Sequence, residues 1–455
     1  MLNFTEYLNS IQLYRYAFNS DNPAREKKMM KQPASKVRRL RLVASEPTPK
    51  RYLAPLSTID LFCGAGGLTQ GFRQAGFNCS FANDFMPEAI ETFALNHPGV
   101  RAECKPIEEV NARELRTQLN LLPGELDVLV GGPPCQGFSI NAPSRFLADP
   151  RNSMFKHYAR FVEEFEPKTI VFENVPGLLS MGDGAVFRQI LQVFGALGYE
   201  LSVKILYGPH YGIPQERWRL ILFGSRLGQI EHPSPTHYAK GRANFRGGTL
   251  LTFSASCLDR ERLAPVVTVG DAIRDLPKLE MGEGAEEVGY THDATSSYAL
   301  RLRNPEGVTF NHHAAKLSRQ NIERMKHVPP GGSWRDIPFE LLPKGMQSAR
   351  KSDHTKRYGR LNYTGLSGTV LTKCDPHWGT VFLPDQDRTL TVREAARLQS
   401  FPDTYRFAGS RVSQYVQVGN AVPVLMAEAI ANSIRCHIDH HQCLETQATA
   451  AIING

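Results

Sequence analysis

From Leu56 onward the chain alternates short strand-like runs with stretches of helical spacing. The runs cover 57–62, 78–82, 127–130, 168–172, 202–206 and 219–223, and each ends in a turn followed by an amphipathic segment such as Pro87–Leu95. Runs of this length with near-continuous apolar character mark strands covered on both faces. Strands that alternate with helices predict parallel pairing in a doubly wound α/β sheet, whose ligands bind beyond the carboxyl ends of the strands. Between 226 and 387 the rhythm is lost. Pro, Gly, His and Arg are frequent there, and only 369–373 and 379–383 stand out as strand candidates. Helical spacing returns over Thr391–Gln399 and over Pro423–Ile434, after a turn at Val418-Gly-Asn420-Ala421. The pattern divides the chain into an arm (1–52), an α/β domain (53–225), an irregular module (226–387), a return segment (388–440) completing both, and a tail (441–455).

A length of 455 residues suits one large and one smaller domain. The formal net charge of +8 fits attraction to a polyanion, and equally a surface tuned for solubility. In the arm, Arg25-Glu-Lys-Lys28 and Lys36-Val-Arg-Arg39-Leu-Arg41 read either as a phosphate-touching tail or as a solvated extension. Eight cysteines show no framework spacing, the first residues lack a signal peptide, and no window reaches the roughly 18 apolar residues of a membrane span. A soluble protein of a reducing cytoplasm is expected.

The first strand leads into Ser57-Thr-Ile-Asp60-Leu-Phe62-Cys-Gly64-Ala-Gly66-Gly67-Leu68, a strand, a glycine-rich turn and a helix start. Glycines admit a ligand close to the backbone, and the free N–H groups of a helix start favour negative charge. The second strand ends at Asp84-Phe85, where an acid would meet ribose hydroxyls or, alternatively, cap the next helix. The spacing DLFxGxGG differs from the dinucleotide GxGxxG. It points to an adenosyl ligand that carries an amino acid, and S-adenosylmethionine fits that description.

The third chemical cluster is Gly131-Gly132-Pro133-Pro134-Cys135-Gln136-Gly137, directly after a buried-strand pattern. A cysteine is a strong nucleophile only as thiolate, which a polar loop can supply and a core cannot. The run ending at Phe172 delivers Glu173-Asn174 to the same edge, and Gln215-Glu-Arg217-Trp-Arg219 adds two guanidinium groups. Nucleophile, acid and anion clamp thus fall in one cleft.

These blocks resemble the DNA (cytosine-5)-methyltransferase family. The resemblance rests on DLFCGAGGLTQGF (60–72), ANDFMPEAIETFALNHP (82–98), DVLVGGPPCQGFS (127–139), the segment 149–179 ending in ENVPGLL, QERWRLILFG (215–224), RTLTVREAARLQSFPD (388–403) and QVGNAVPVLMAEAI (417–430). It implies a Rossmann-like methyltransferase sheet over 53–225 and a smaller target-recognition domain over 226–387. By family roles Cys135 is the thiolate that adds to cytosine C6, Glu173 holds N3, Asn174 braces the loop, Arg219 holds the flipped base and Arg217 supports the backbone. The cofactor contacts implied are Asp60, Phe62, Gly64, Gly66, Gly67 and Leu68, then Asp84 and Phe85, Ile107, Pro133, Asn420 and Val422. Phe85 stands where the family usually has tryptophan, and Pro106 where many members carry an aspartate for the adenine amino group. The implied cofactor is S-adenosylmethionine with no metal, and the partner is double-stranded DNA. A monomeric prokaryotic modification enzyme in the cytoplasm at the nucleoid, with a companion restriction endonuclease, completes that picture. A transfer-RNA cytosine methyltransferase and a silent DNA-binding homologue are the rivals, while a nicotinamide oxidoreductase leaves the PPC, ENV and QxRxR blocks unexplained.

In the middle segment Arg350-Lys351, Lys356-Arg357 and Arg360, with the glycine turns 331–332 and 365–368, could meet phosphate or guanine edges. Cys436-His437-Ile-Asp-His440-His441-Gln-Cys443 offers zinc-binding residue types, of which 437, 440 and 441 would share a helix face, but no second ligand pair follows at finger-like spacing. His312-His313 reads as loop surface.

Overall fold

A computed structural model describes residues 55–134, 154–241, 261–350, 352 and 356–454. The first half runs β1 (Leu56–Leu61), α1 (Gly67–Gln74), β2 (Phe77–Asp84), α2 (Pro87–Asn96), β3 (Arg101–Cys104), α3 (Ala112–Gln118), β4 (Val128–Gly131), α4 (Met154–Phe165), β5 (Thr169–Asn174), α5 (Ala185–Ala196), β6 (Glu200–Tyr207) and β7 (Trp218–Ser225). The seven strands form one sheet in the order β3-β2-β1-β4-β5-β7-β6. All six runs read from the pattern are strands. Successive residues explain why they look continuously apolar. Val128 and Val130 join one core with Phe72, Ile221 and Phe223, while Leu129 joins the other with Phe161, Ile170, Phe194 and Leu222. Both faces are covered, and alternate side chains serve opposite layers.

The expected all-parallel pairing holds for β3, β2, β1, β4 and β5. It fails at β7, which runs antiparallel to both β5 and β6. A parallel return needs a crossover of a dozen or more residues, usually a helix; residues 208–217 supply only a short 3₁₀ turn at Gly208–Tyr211. Consequently the start of β7 lies beside the carboxyl end of β5, since Asn174 pairs with Leu220. That reversal brings Arg219 beside Glu173 at the carboxyl end of β5.

The second half contains β8 (His237–Tyr238), β9 (Ala264–Pro265), α6 (Val269–Ile273), β10 (Gly284–Gly289), α7 (Ser297–Leu302), β11 (Val308–His313), α8 (Arg319–Lys326), β12 (Gly359–Arg360), β13 (Thr380–Phe382), α9 (Val392–Leu398), α10 (Arg411–Asn420) and α11 (Val424–Asn454). Met325, Trp334, Ile337, Met346, Tyr358 and Phe382 form a core of their own. Val269, Ile273, Tyr298 and Leu302 instead share the layer of Leu68 and Phe72. The helix at 391–399 appears as α9, started by a Thr391–Glu394 capping box. Residues 369–373 are not a strand, the 418–421 turn is the end of α10, and the last helix extends well past Ile434.

Two further expectations are corrected here. His312 lies buried in β11, where Nδ1 meets Thr391 Oγ1 at 2.9 Å and Nε2 meets the Pro277 carbonyl at 2.8 Å, so it is core and not loop surface. Arg360 is buried as well. Its guanidinium donates to the carbonyls of Val328, Leu383 and Met325 at 2.6, 2.8 and 2.8 Å, which consumes the donors expected to reach DNA.

Candidate active site and cofactor pocket

The glycine turn begins with backbone in the left-handed region at Phe62 (φ 59°), Gly64 (φ 52°) and Gly66 (φ 85°). Its glycines serve different ends. A Cβ on Gly64 would meet nothing within 4 Å, so that face is open to a ligand. A Cβ on Gly67 would lie 2.6 Å from the Val422 carbonyl oxygen, so this glycine admits protein and not ligand. Leu68 is buried, and α1 starts without a side-chain cap, leaving backbone donors at its N-terminus.

Two carboxylates stand at this turn. Asp60 is fully buried, and its Oδ2 accepts from Thr69 Oγ1 at 2.6 Å. Its Oδ1 has no hydrogen-bond partner among the described residues, and burial pushes the carboxyl up to about 7. Asp84 Oδ2 accepts the Gly64 N–H at 2.9 Å and Oδ1 the Met86 N–H at 3.0 Å. Burial raises its pKa too. Since Met86 caps α2, Asp84 braces the turn and does not cap the helix. Next to it the Phe85 ring is 63% exposed, an unusual position for a phenylalanine and a free stacking face. Asn420 is exposed and Val422 buried at the same end of the sheet. Ile107 is buried in the core with Val110 and Leu115.

At the adjoining edge, Glu173 Oε1 lies 2.6 Å from Arg219 Nε. Burial raises the Glu173 pKa, and the Arg219 and Arg217 charges oppose the rise. A Cβ on Gly132 would sit 2.7 Å from Glu173 Oε2, so only glycine leaves the carboxylate in place. The Asn174 amide donates to the buried Pro133 carbonyl at 2.9 Å, which ties the strand-end loop to β5. Cys135 lies outside the described residues. Arg217 is buried, and its Nη2 donates to the Gly419 and Ala421 carbonyls at 2.8 and 2.9 Å. It also reaches the Val370 carbonyl at 3.3 Å.

The sequence reading missed three residues. Gln215 is buried and bridges Gln399 Oε1 (2.9 Å) and the Val370 N–H (2.9 Å). His97 and Tyr405 pack against Gly66, whose Cβ would lie 2.8 Å from His97 Nε2 and 2.7 Å from the Tyr405 hydroxyl. Gln215 and His97 fall inside the quoted 215–224 and 82–98 blocks without a role having been read for them, and Tyr405 lies outside every block. No group of three or more potential metal ligands occurs among the described residues, and His437 Nε2 is engaged by Ser225 Oγ at 3.0 Å.

Comparison with known proteins gives a consistent result. Residues 56–436 match the family model for C-5 cytosine-specific DNA methylase. The chain is 37% identical over 435 residues to Type II methyltransferase M.AgeI of Thalassovita gelatinovora, covering 84% of this chain and 100% of the relative. It is 33% identical to Type II methyltransferase M1.HphI of Haemophilus parahaemolyticus over 84% of this chain and 87% of the relative. The solved structure of a candidate DNA modification methyltransferase from an E. coli prophage shares the fold, with a TM-score of 0.63 at 23% identity over 84% of this chain and 99% of that one.

Proposed function

The chain belongs to the C-5 cytosine-specific DNA methylase family, and from that premise we propose that it methylates C5 of a cytosine flipped out of a specific duplex DNA sequence. The observation that carries the residue assignment is the buried Glu173–Arg219 pair set against the Gly132–Pro133 strand end. S-adenosylmethionine supplies an electrophilic methyl group when bound. The open face at Gly64, the unpartnered Asp60 oxygen and the exposed Phe85 ring suit such a ligand.

Cytosine C5 is a poor nucleophile until C6 is occupied. Cys135, one residue past Pro134, adds as thiolate to C6, and electron density moves to C5 and N3. Glu173, whose carboxyl burial pushes above its ordinary value against the pull of the Arg219 and Arg217 charges, holds the proton shared with N3 as that charge develops. Arg219 fixes the carboxyl and faces the base, while Arg217 ties the C-terminal end of α10 to the chain at Val370. C5 then takes the methyl group, and transfer of the C5 proton to water, with the C6–S bond breaking to return the Cys135 thiolate, restores the ring.

Residues 226–387 supply the recognition module in this reading. Trp378 is 53% exposed with the Arg357 guanidinium 4.7 Å from its ring centroid, a pair able to stack on a base or meet phosphate. The protein acts as a monomer on cytoplasmic, nucleoid DNA beside a companion restriction endonuclease, without a metal. No described helix is long and apolar enough to cross a membrane.

The test is base-resolution methylation sequencing of DNA from a methylation-free bacterial host that expresses the chain, beside Cys135→Ser. Full methylation of one short motif, absent with the variant, supports the assignment. Equal methylation by Cys135→Ser removes that thiol from the chemistry, and an unmethylated genome from folded protein turns the search to transfer RNA.

A further inference from the structure

The glycine turn is held from behind by two side chains that the base chemistry does not use. His97 follows α2 and Tyr405 lies between α9 and α10, each only 2% exposed. His97 Nε2 is 3.0 Å from the Tyr405 hydroxyl, and that hydroxyl donates to the Ala65 carbonyl inside the turn. Since the single hydroxyl proton goes to Ala65, the imidazole must be the donor to Tyr405, which fixes its Nε2–H tautomer. Burial lowers the His97 pKa to about 4, so the ring stays neutral and the arrangement does not switch near neutral pH.

Around this pair the two halves of the pocket are stitched together. Asn96 Nδ2 donates to the Arg406 carbonyl at 2.8 Å, and the Arg406 N–H returns to Asn96 Oδ1 at 2.9 Å. Thr92 Oγ1 donates to Gln417 Oε1 at 2.6 Å and accepts the Ala408 N–H at 2.8 Å. Helix α2 begins just after Asp84 and Phe85, and α10 ends at Asn420. The seam therefore joins both ends of the cofactor pocket, and within it the Tyr405 hydroxyl is bonded to the turn itself.

We infer that Tyr405, oriented by His97, is a positioning residue that sets the conformation of the Cys63–Gly66 turn for the S-adenosyl ligand, and so governs cofactor affinity without touching the reacting base. The inference rests on the cofactor reading of the turn given above. A free Ala65 carbonyl would let the turn relax toward open space at Gly64, and the cost would fall on ligand binding.

The test uses the full chain and four proteins: wild type, Tyr405→Phe, His97→Leu and His97→Gln. Calorimetric titration with S-adenosylhomocysteine comes first. No binding to wild type overturns the cofactor reading itself, independently of Tyr405. Given wild-type binding, Tyr405→Phe is expected to weaken affinity for S-adenosylhomocysteine, and to raise KM for S-adenosylmethionine, by roughly fivefold to tenfold, the scale of one hydrogen bond. Both kcat and KM for DNA should stay within about twofold. His97→Leu should reproduce the loss, and His97→Gln, whose amide can still donate to the hydroxyl, should restore most of it. Unchanged cofactor affinity in folded Tyr405→Phe would overturn the inference. So would a loss in which kcat and both KM values shift together with the melting temperature. If Tyr405→Phe does not fold, the Leu-against-Gln contrast at His97 decides in the same way.

Discussion

Arg219 Nε lies 2.6 Å from Glu173 Oε1, with the two side chains only 10% and 12% exposed. The pair exists because β7 reverses and lays its first residues against the last residues of β5. Removing one member of a buried pair strands the other charge, a loss of about 3–5 kcal/mol. Arg219→Leu should therefore lower unfolding stability by about that amount in urea melts. The double variant Glu173→Gln, Arg219→Leu should regain most of it. Glu173→Gln alone should slow single-turnover methylation by roughly 10²- to 10⁴-fold, and the double variant should remain as slow. A single Arg219→Leu variant of wild-type stability would show that the pair is solvated.

Gly132 tests the same carboxylate from the other side. A methyl group there would stand 2.7 Å from Glu173 Oε2, so Gly132→Ala must displace the carboxylate. The expected outcome is a kcat at least tenfold lower, by the same general-acid argument, with cofactor affinity unchanged in calorimetry. Retained kcat would mean that the Glu173 position is not critical.

Asp60 gives the protein a pH signature. Its carboxyl rises from an ordinary 3.8 to about 7 in the fold because it is buried. The unfolded chain ionises it from about pH 4, whereas the folded protein resists ionisation until about pH 7. The stabilising contribution is thus complete below pH 4 and is lost as pH rises through 7. Asp60→Asn should unfold at higher urea than wild type at pH 8, by an amount on the order of 3 kcal/mol, and the gap should narrow by half or more at pH 5. Parallel pH profiles for the two proteins would place the Asp60 carboxyl near its ordinary pKa.

Much of this was legible from residue order. The strand runs were readable because Val128, Leu129 and Val130 alternate between two covered faces. The glycine turn and the placing of Glu173 and Arg219 at one sheet edge were readable from contiguous blocks of residues, while the roles given to them come from the family resemblance. The direction of β7 was not, since periodicity is the same read either way along a strand. Residues 369–373 look like a strand, yet the Val370 N–H is spent on the Gln215 side chain, a partner 155 positions away. His312 passed for surface because its burial depends on Thr391 and the Pro277 carbonyl, neither of which is near it in the chain. The His97–Tyr405 pair spans 308 positions and leaves no local trace at all.

The packing of the first helix against the last has a consequence for the order of synthesis. Gly71 of α1 lets the backbone of α11 come so close that a Cβ would fall 2.4 Å from that of Ala427, and the Val422 carbonyl closes over Gly67. A chain emerging from the ribosome can pair β1 with β2 early, but the ligand turn beside them gains its far wall only when residues 420–434 arrive. Folding and competence are therefore separated in time by the making of the entire intervening segment. A partly made or prematurely terminated chain would hold the β1–β2 pair and still lack the wall that residues 420–434 set against Gly67 and Gly71.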